Sequence, residues 1–160
     1  MLIYREANET DVTAICELGV EVNAVHHHAF PQIFADAGEK GRDTAHWLSG
    51  IAKPDAITIV AEQAGAIVGF VNVSIVNETH TLLKPLRFGR VGSVSVTEKL
   101  RGQGIGRELM NRAQEWVSTR GGVEVRLNVW AFNSRALRMY GELGYETRSL
   151  SLAKQLPSGT

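Results

Sequence analysis

The stretch Arg101-Gly102-Gln103-Gly104-Ile105-Gly106 decides how this chain is read. It follows the apolar run Val94-Ser95-Val96 and opens a segment, Gln103 to Thr119, in which Ile105, Leu109, Ala113, Trp116 and Val117 fall on one helical face. A strand, a glycine-rich turn and a helix are therefore predicted in that order. Glycines at alternate positions leave backbone N–H groups uncovered, and a helix start adds unpaired N–H groups and the positive end of its dipole. The turn is a candidate cradle for a diphosphate. Two common cradles do not match it. The lysine of a Walker loop is absent, and Gly102-x-Gly104-x-Gly106 followed by Arg107 is not the dinucleotide pattern G-x-G-x-x-G.

Downstream, Asn133-Ser134-Arg135-Ala136-Leu137-Arg138-Met139-Tyr140-Gly141-Glu142-Leu143-Gly144-Tyr145 places an asparagine before a short helix carrying a tyrosine, then a glycine-aromatic pair. The two stretches together, in this order, resemble the signatures of the GNAT N-acetyltransferases. The first resembles the pyrophosphate-binding turn Arg/Gln-x-x-Gly-x-Gly. A small dehydrogenase is the rival nucleotide-binding reading. It is poorly matched, because Glu124 stands at the start of a predicted strand rather than at its end.

Working outward, Leu2 to Glu6 reads as a first strand. From Thr10 to His28, Val12, Ile15, Leu18, Val22 and Val25 recur at helical spacing behind a capping region at Asn8 and Thr10. Phe30-Pro31 ends that helix, and a second, short one is expected over Glu39 to Ser49. Ala56 to Gln63 and Ala66 to Asn77 are Val/Ile-rich and meet at Ala64-Gly65, which predicts a hairpin. Phe88 to Val96 and Val123 to Trp130 are further strands, Asn133 to Leu143 a helix, and Tyr145 to Gln155 a last strand. The order β-α-α-β-β-β-α-β-α-β gives an α/β chain with a mixed sheet and helices on both faces. It is similar to the GNAT acyl-CoA N-acyltransferase fold with its splayed central strands. Residues 1–160 are expected to form one N-acetyltransferase domain.

Composition narrows the function classes. Net charge is zero, so no global field draws the molecule to nucleic acid or to an anionic membrane, and neither is expected as a partner. The weakly polar run Ala64 to Val76 is too short to span a bilayer. Cys16 is the only cysteine, which rules out an internal disulfide and suits a reducing compartment. No signal peptide is visible before the first strand, and a cytoplasmic location is expected. Charge is unevenly distributed: residues 1–62 carry ten acidic and four basic side chains, residues 99–138 eight basic and three acidic. A basic second half suits a polyphosphate ligand, although solvated helix faces give the same count.

The resemblance implies a cosubstrate, acetyl-CoA, and an acetyl transfer to a primary amine on a small molecule or a peptide. The alternative is a non-catalytic acyl-CoA sensor of the same fold. In the family the cosubstrate lies where the fourth and fifth strands splay apart beside a β-bulge. That implies main-chain contacts from Val94, Ser95 and Val96 to the pantetheine arm, with Gly92 the place for the bend. Val94 and Val96 also suit plain core packing. Arg101, Gly102, Gln103, Gly104, Ile105, Gly106 and Arg107 are implied to hold the pyrophosphate, and Asn133 and Ala136 to contact the same ligand. Asn133 equally suits an N-cap. Tyr140 is implied to contact the cosubstrate and to protonate the departing thiolate. Its other reading is a core aromatic, since Ala136, Tyr140 and Leu143 share a face. A phenol of pKa about 10 must then have its pKa depressed, or must stabilise the thiolate by hydrogen bonding alone. A main-chain N–H near Val94 is implied to receive the oxyanion.

The general base is open, because Arg90-Val91-Gly92-Ser93-Val94-Ser95-Val96 holds no carboxylate where some relatives carry a glutamate. Glu78, His80 and His28 are candidates for the acceptor side, and Phe30 and Phe34 for an acceptor-binding wall. His26-His27-His28 point about 100° apart on a helix and cannot converge on one ion, so no metal is expected. Trp47 and Trp130 read equally as core or cleft lining. Cys16 has nothing to mark it as a nucleophile. The last strand is a candidate surface for a homodimer.

Overall fold

Ala64 and Gly65 sit at the hinge of the sheet. Both have positive φ, 51° and 79°, the backbone a two-residue hairpin turn demands. They join β2 (Ala56–Gln63) to β3 (Ala66–Glu78). The computed structural model describes residues 1–36, 38 and 41–158. Around the hairpin lie β1 (Leu2–Glu6) on one side and β4 (Leu86–Val96) and β5 (Val125–Leu127) on the other, in the order β1-β2-β3-β4-β5. The first three pairings are antiparallel and β4–β5 is parallel.

The helices are α1 (Val12–Ala29), α2 (Thr44–Leu48), α3 (Ile105–Thr119) and α4 (Ser134–Glu142). Short 3₁₀ turns, Glu9–Asp11 and Glu98–Leu100, precede α1 and α3. A capping box closes the first of these: the Asn8 side chain accepts from Thr10 N–H and the Asp11 carboxylate from Asn8 N–H at 2.9 Å. Asp11 is buried and takes both arms of Arg5, at 2.8 and 2.9 Å, while Arg5 also reaches Glu62 at 2.8 Å. The Arg5 guanidinium holds the Asp11 carboxyl below the usual range.

Neighbouring residues of β3 show how the sheet is covered. Phe70 is fully buried with Ile15, Leu18, Ile51 and Val60, and Trp47 of α2 meets it edge-on with ring centroids 5.1 Å apart. Gly69 faces the other way, toward Leu109 of α3. Strand alternation thus puts α1 and α2 on one face and α3, through buried Ile105, Leu109, Met110, Ala113 and Val117, on the other. Trp47 is therefore part of the core, and Gly19 of α1 has no Cβ because its position would lie 2.6 Å from the Trp47 ring.

The chain divides into two compact units, Met1–Asn128 and Val129–Thr160. The second holds α4 and the segment after it. The expected element order is found through α4, with the second helix shorter than expected; Glu39 and Lys40 of that expectation lie outside the described residues. The expected strand Tyr145 to Gln155 is not among the described strands. Its alternation of small polar residues with Leu150 and Leu152 suits a strand, yet a strand exists only through a ladder partner, and both leucines are largely exposed.

Candidate functional site

The register of β4 breaks at one residue. Asn72 pairs with Ser93, but Val73 pairs with Val91, so Gly92 is the extra residue of a β-bulge. Asn72 fills the space beneath it: its Oδ1 accepts the Ser93 N–H at 2.6 Å. A Cβ on Gly92 would lie 2.7 Å from that same oxygen, so glycine is required for the amide to seat there. On the opposite edge β4 pairs with β5 only at Gly89, Arg90 and Val91. Beyond the bulge that edge has no ladder partner among the described residues. The main chain of Ser93, Val94, Ser95 and Val96 is therefore held by β3 and open on the other side. Ser95 is buried, and its Oγ has no hydrogen-bond partner among the described residues.

The glycine-rich turn follows. Gly102 and Gly104 have φ of 78° and 86°, left-handed values that favour glycine. Gly104 is the N-cap of α3 and contributes no side chain to it. The first bond of the helix ladder is Glu108 N–H to the Gly104 carbonyl, 3.0 Å, so the Ile105 and Gly106 amides lie ahead of it and point out of the helix end. Gln103 and Arg107 are exposed on the same turn. Arg101 turns back instead: its Nε donates to the Val96 carbonyl at 2.9 Å, and its Nη2 lies 3.4 Å from Glu21 of α1. It braces the turn against β4.

Beside the bulge, on the α2 face, is a cleft of about 520 Å³, within the range of small-ligand sites. Gly92 and Asn72 stand at one end, and Ser74, Arg90, Lys53 and Asp55 are also on its wall. Nothing in the sequence pattern marks Asn72, Lys53, Asp55 or Arg90 as members of one site. The signal for Asn72 was one amide inside an apolar run. The other three come from a loop and a strand whose proximity no sequence period announces.

The acceptor-side candidates are placed elsewhere. His28 is exposed at the end of α1, and His27 Nδ1 bonds the Phe34 carbonyl at 2.7 Å. Phe34 packs on His26, ring centroids 5.0 Å apart, and Phe30 is the C-cap of α1. Glu78 ends β3 and accepts from Thr79 N–H; exposed His80 accepts from Leu82 N–H. None of His28, Phe30, Phe34, Glu78 and His80 lines the cleft. Among the described residues no group of three or more His, Cys, Asp or Glu is arranged to hold a metal ion, and no helix is long and apolar enough to cross a membrane. Cys16 is half-buried, 3.9 Å from the Thr44 hydroxyl.

In the second unit, Asn133 caps α4 by accepting from Ala136 N–H at 3.2 Å. Tyr140 is buried, with the Tyr145 ring tilted against it at 5.8 Å. The Tyr145 N–H donates to the Tyr140 carbonyl at 2.9 Å. Gly144, at φ 93°, makes the turn that brings the two tyrosines together. Burial and then the neighbouring Tyr145 push the Tyr140 phenol up to about 12.

Comparison with known proteins places this geometry. The family model described as "Acetyltransferase (GNAT) family" matches residues 7–145. The dTDP-fucosamine acetyltransferase of Escherichia coli O6:H1 is 28% identical over 146 residues, covering 89% of this chain. The chain spans 58% of that relative's length. A mutant protein of Bacillus halodurans superimposes with a TM-score of 0.91 at 20% identity, covering 97% of this chain and 99% of its own. An aminoglycoside N-acetyltransferase solved with CoA superimposes at 0.72 with 16% identity, covering 98% and 95%.

Proposed function

The chain belongs to the acetyltransferase (GNAT) family, and from that premise we propose that it transfers an acetyl group from acetyl-CoA directly to a primary amine on a small molecule. The observation that carries this reading is the bulge at Gly92, which leaves the main chain of β4 open on one edge immediately before a helix-opening glycine turn. The residues fit the ligand. Val94, Ser95 and Val96 offer main-chain donors and acceptors to the pantetheine arm as an added strand would. The turn formed by Gly102, Gln103, Gly104, Ile105 and Gly106 offers amides to the pyrophosphate, with Arg107 adding positive charge. Arg101 acts by bracing the turn.

Acetyl-CoA supplies an activated acyl carbon and a thiolate leaving group. The amine nitrogen attacks that carbon, the C–S bond breaks, and the nitrogen gives up a proton to solvent or a base. The N–H near Val94 receives the negative charge that develops on the acyl oxygen. Tyr140 is the residue we assign to the departing sulfur. Full proton transfer from a phenol pushed up to about 12 to a thiolate near 8.5 is uphill by about 5 kcal/mol. Tyr140 therefore donates a hydrogen bond without giving up its proton. Asn133 holds the start of the helix that carries it.

Direct attack is favoured over a covalent acyl-enzyme, since Cys16 has only a weak contact with Thr44. Two of the relatives are named for dTDP-fucosamine and aminoglycosides, which supports a small-molecule acceptor over a protein. The test is free-thiol release from acetyl-CoA across a panel of amines, with Tyr140→Phe beside the wild type. Acceptor-dependent release that falls at least tenfold in the variant is expected. Equal release in the two proteins removes Tyr140 from the chemistry. Binding of acetyl-CoA without release to any amine favours an acyl-CoA sensor.

A further inference from the structure

The cleft beside Gly92 carries an uneven set of charges. Lys53 and Arg90 are cationic, Asp55 anionic, and all three are exposed on its wall. None of them enters a described ion pair, unlike Arg5, Arg42, Arg101, Arg112 and Arg126 of the same unit. Arg90 is instead held by its own strand, with its guanidinium carbon 5.5 Å from the centroid of the Phe88 ring. A concave wall with two uncompensated cations and one acid is complementary to a ligand that carries both signs, with the negative one dominant. Asn72 and Ser74 add neutral hydrogen-bonding groups to the same wall. The cleft ends at the bulge, where the proposed reaction needs the acceptor nitrogen.

We propose that this cleft binds the acceptor, and that the acceptor is a primary amine which also bears a carboxylate or a phosphate. This rests on the acetyl-transfer reading given above. Lys53 and Arg90 take the acid group, and Asp55 supplies the one negative charge on the same wall. Asn72 fixes the bulge at the end of this cleft, its Oδ1 accepting the Ser93 N–H. A polycationic amine meets two like charges here and binds poorly.

Equilibrium binding, followed by NMR shift titration, separates this idea from the chemistry. The probes are alanine against alaninamide, 2-aminoethyl phosphate against ethanolamine, and spermidine. Each pair shares its amine and differs by one acid group. Wild type is expected to bind at least one acid-bearing probe tenfold or more tighter than its neutral partner. The larger ratio tells whether carboxylate or phosphate is the preferred group. In a Lys53→Met/Arg90→Met double variant the ratio is expected to fall toward one. Both positions are exposed, and circular dichroism confirms folding. A wild-type ratio near one for both pairs overturns the proposal, as does an unchanged ratio in the variant or spermidine binding tighter than every acid-bearing probe. Acetyl-CoA binding is measured separately. Its absence defeats the acetyl-transfer reading, while the charge preference of the cleft is still read by the titration.

Discussion

Residues 86–91 and 92–96 belong to one strand, β4, and are treated differently by the fold. The first half pairs with β3 on one edge and with β5 at Gly89, Arg90 and Val91 on the other. The second half has β3 alone among the described residues, and a bulge separates the two. Each half depends on a glycine, for unrelated reasons. At Gly89 the glycine allows close packing, since a Cβ there would overlap the Val117 side chain of α3. At Gly92 it makes room for the Asn72 amide, which takes the one N–H the bulge displaces. The same residue type thus closes one half of the strand onto a helix and, in the other half, marks the bulge beyond which β5 no longer pairs.

The largest way to break this contrast is Gly89→Ala. Val117 is buried and has nowhere to move, so the overpacking costs about 3 kcal/mol in urea unfolding. Val117→Ala in the same chain is expected to recover part of it, a coupling that independent sites do not show.

Asp11→Ala tests whether stability can be lowered without touching either half. The loss is about 2 kcal/mol, moderated because its partner Arg5 is one-third open to solvent. The pH dependence has a definite sign. The Asp11 carboxyl is held below its ordinary value, so its contribution is present above that value and lost as pH falls through the lowered one. Acid melts should show this loss in the wild type and less of it in Asp11→Asn. The Asn72–Ser93 bond contains no titrating group and should be unaffected.

Asn72→Ala breaks the second half alone. It removes one hydrogen bond, worth about 1 kcal/mol of stability, while kcat/KM is expected to fall about tenfold, or about 1.4 kcal/mol in the barrier. A tenfold activity loss with only a small stability loss at Asn72, and a large stability loss at Gly89, would support the division of the strand. Similar effects at both positions would abolish it. The smallest expected effect is at Gly104→Ala. Its Cβ meets nothing within 4 Å, so only the positive φ opposes it, at about 1 kcal/mol. The KM for acetyl-CoA should rise a few-fold while the KM for the amine stays constant.

Parts of this architecture were legible before folding. The glycine turn was readable because Gly102 and Gly104 mark backbone conformations that few other residues adopt. α3 was readable because its apolar face recurs at helical spacing, and the β2–β3 hairpin because Ala64-Gly65 interrupts two Val/Ile runs. Gly92 is legible as the bend because a glycine inside a strand pattern marks a bulge. The acceptor-side candidates His28, Phe30, Phe34, Glu78 and His80 do not line the cleft, because nearness in sequence to a helix end or strand end does not say which wall a side chain joins. Asn133 shows both sides of the problem. Its N-cap role is local and is found at 3.2 Å, while any contact with a ligand depends on more than its neighbours in the chain.

What the sequence determined by itself is therefore local: positive-φ glycines, helical and strand periods, and the two motifs that resemble one family. These depend on interactions between residues a few positions apart. Tertiary structure alone decided that Asn72 would seat under Gly92, that α3 would cover the face toward which Gly69 points, and that Lys53, Asp55 and Arg90 would share one wall. Such proximity joins residues far apart in the chain, and a local period says which face a residue is on without naming the distant residue it will meet.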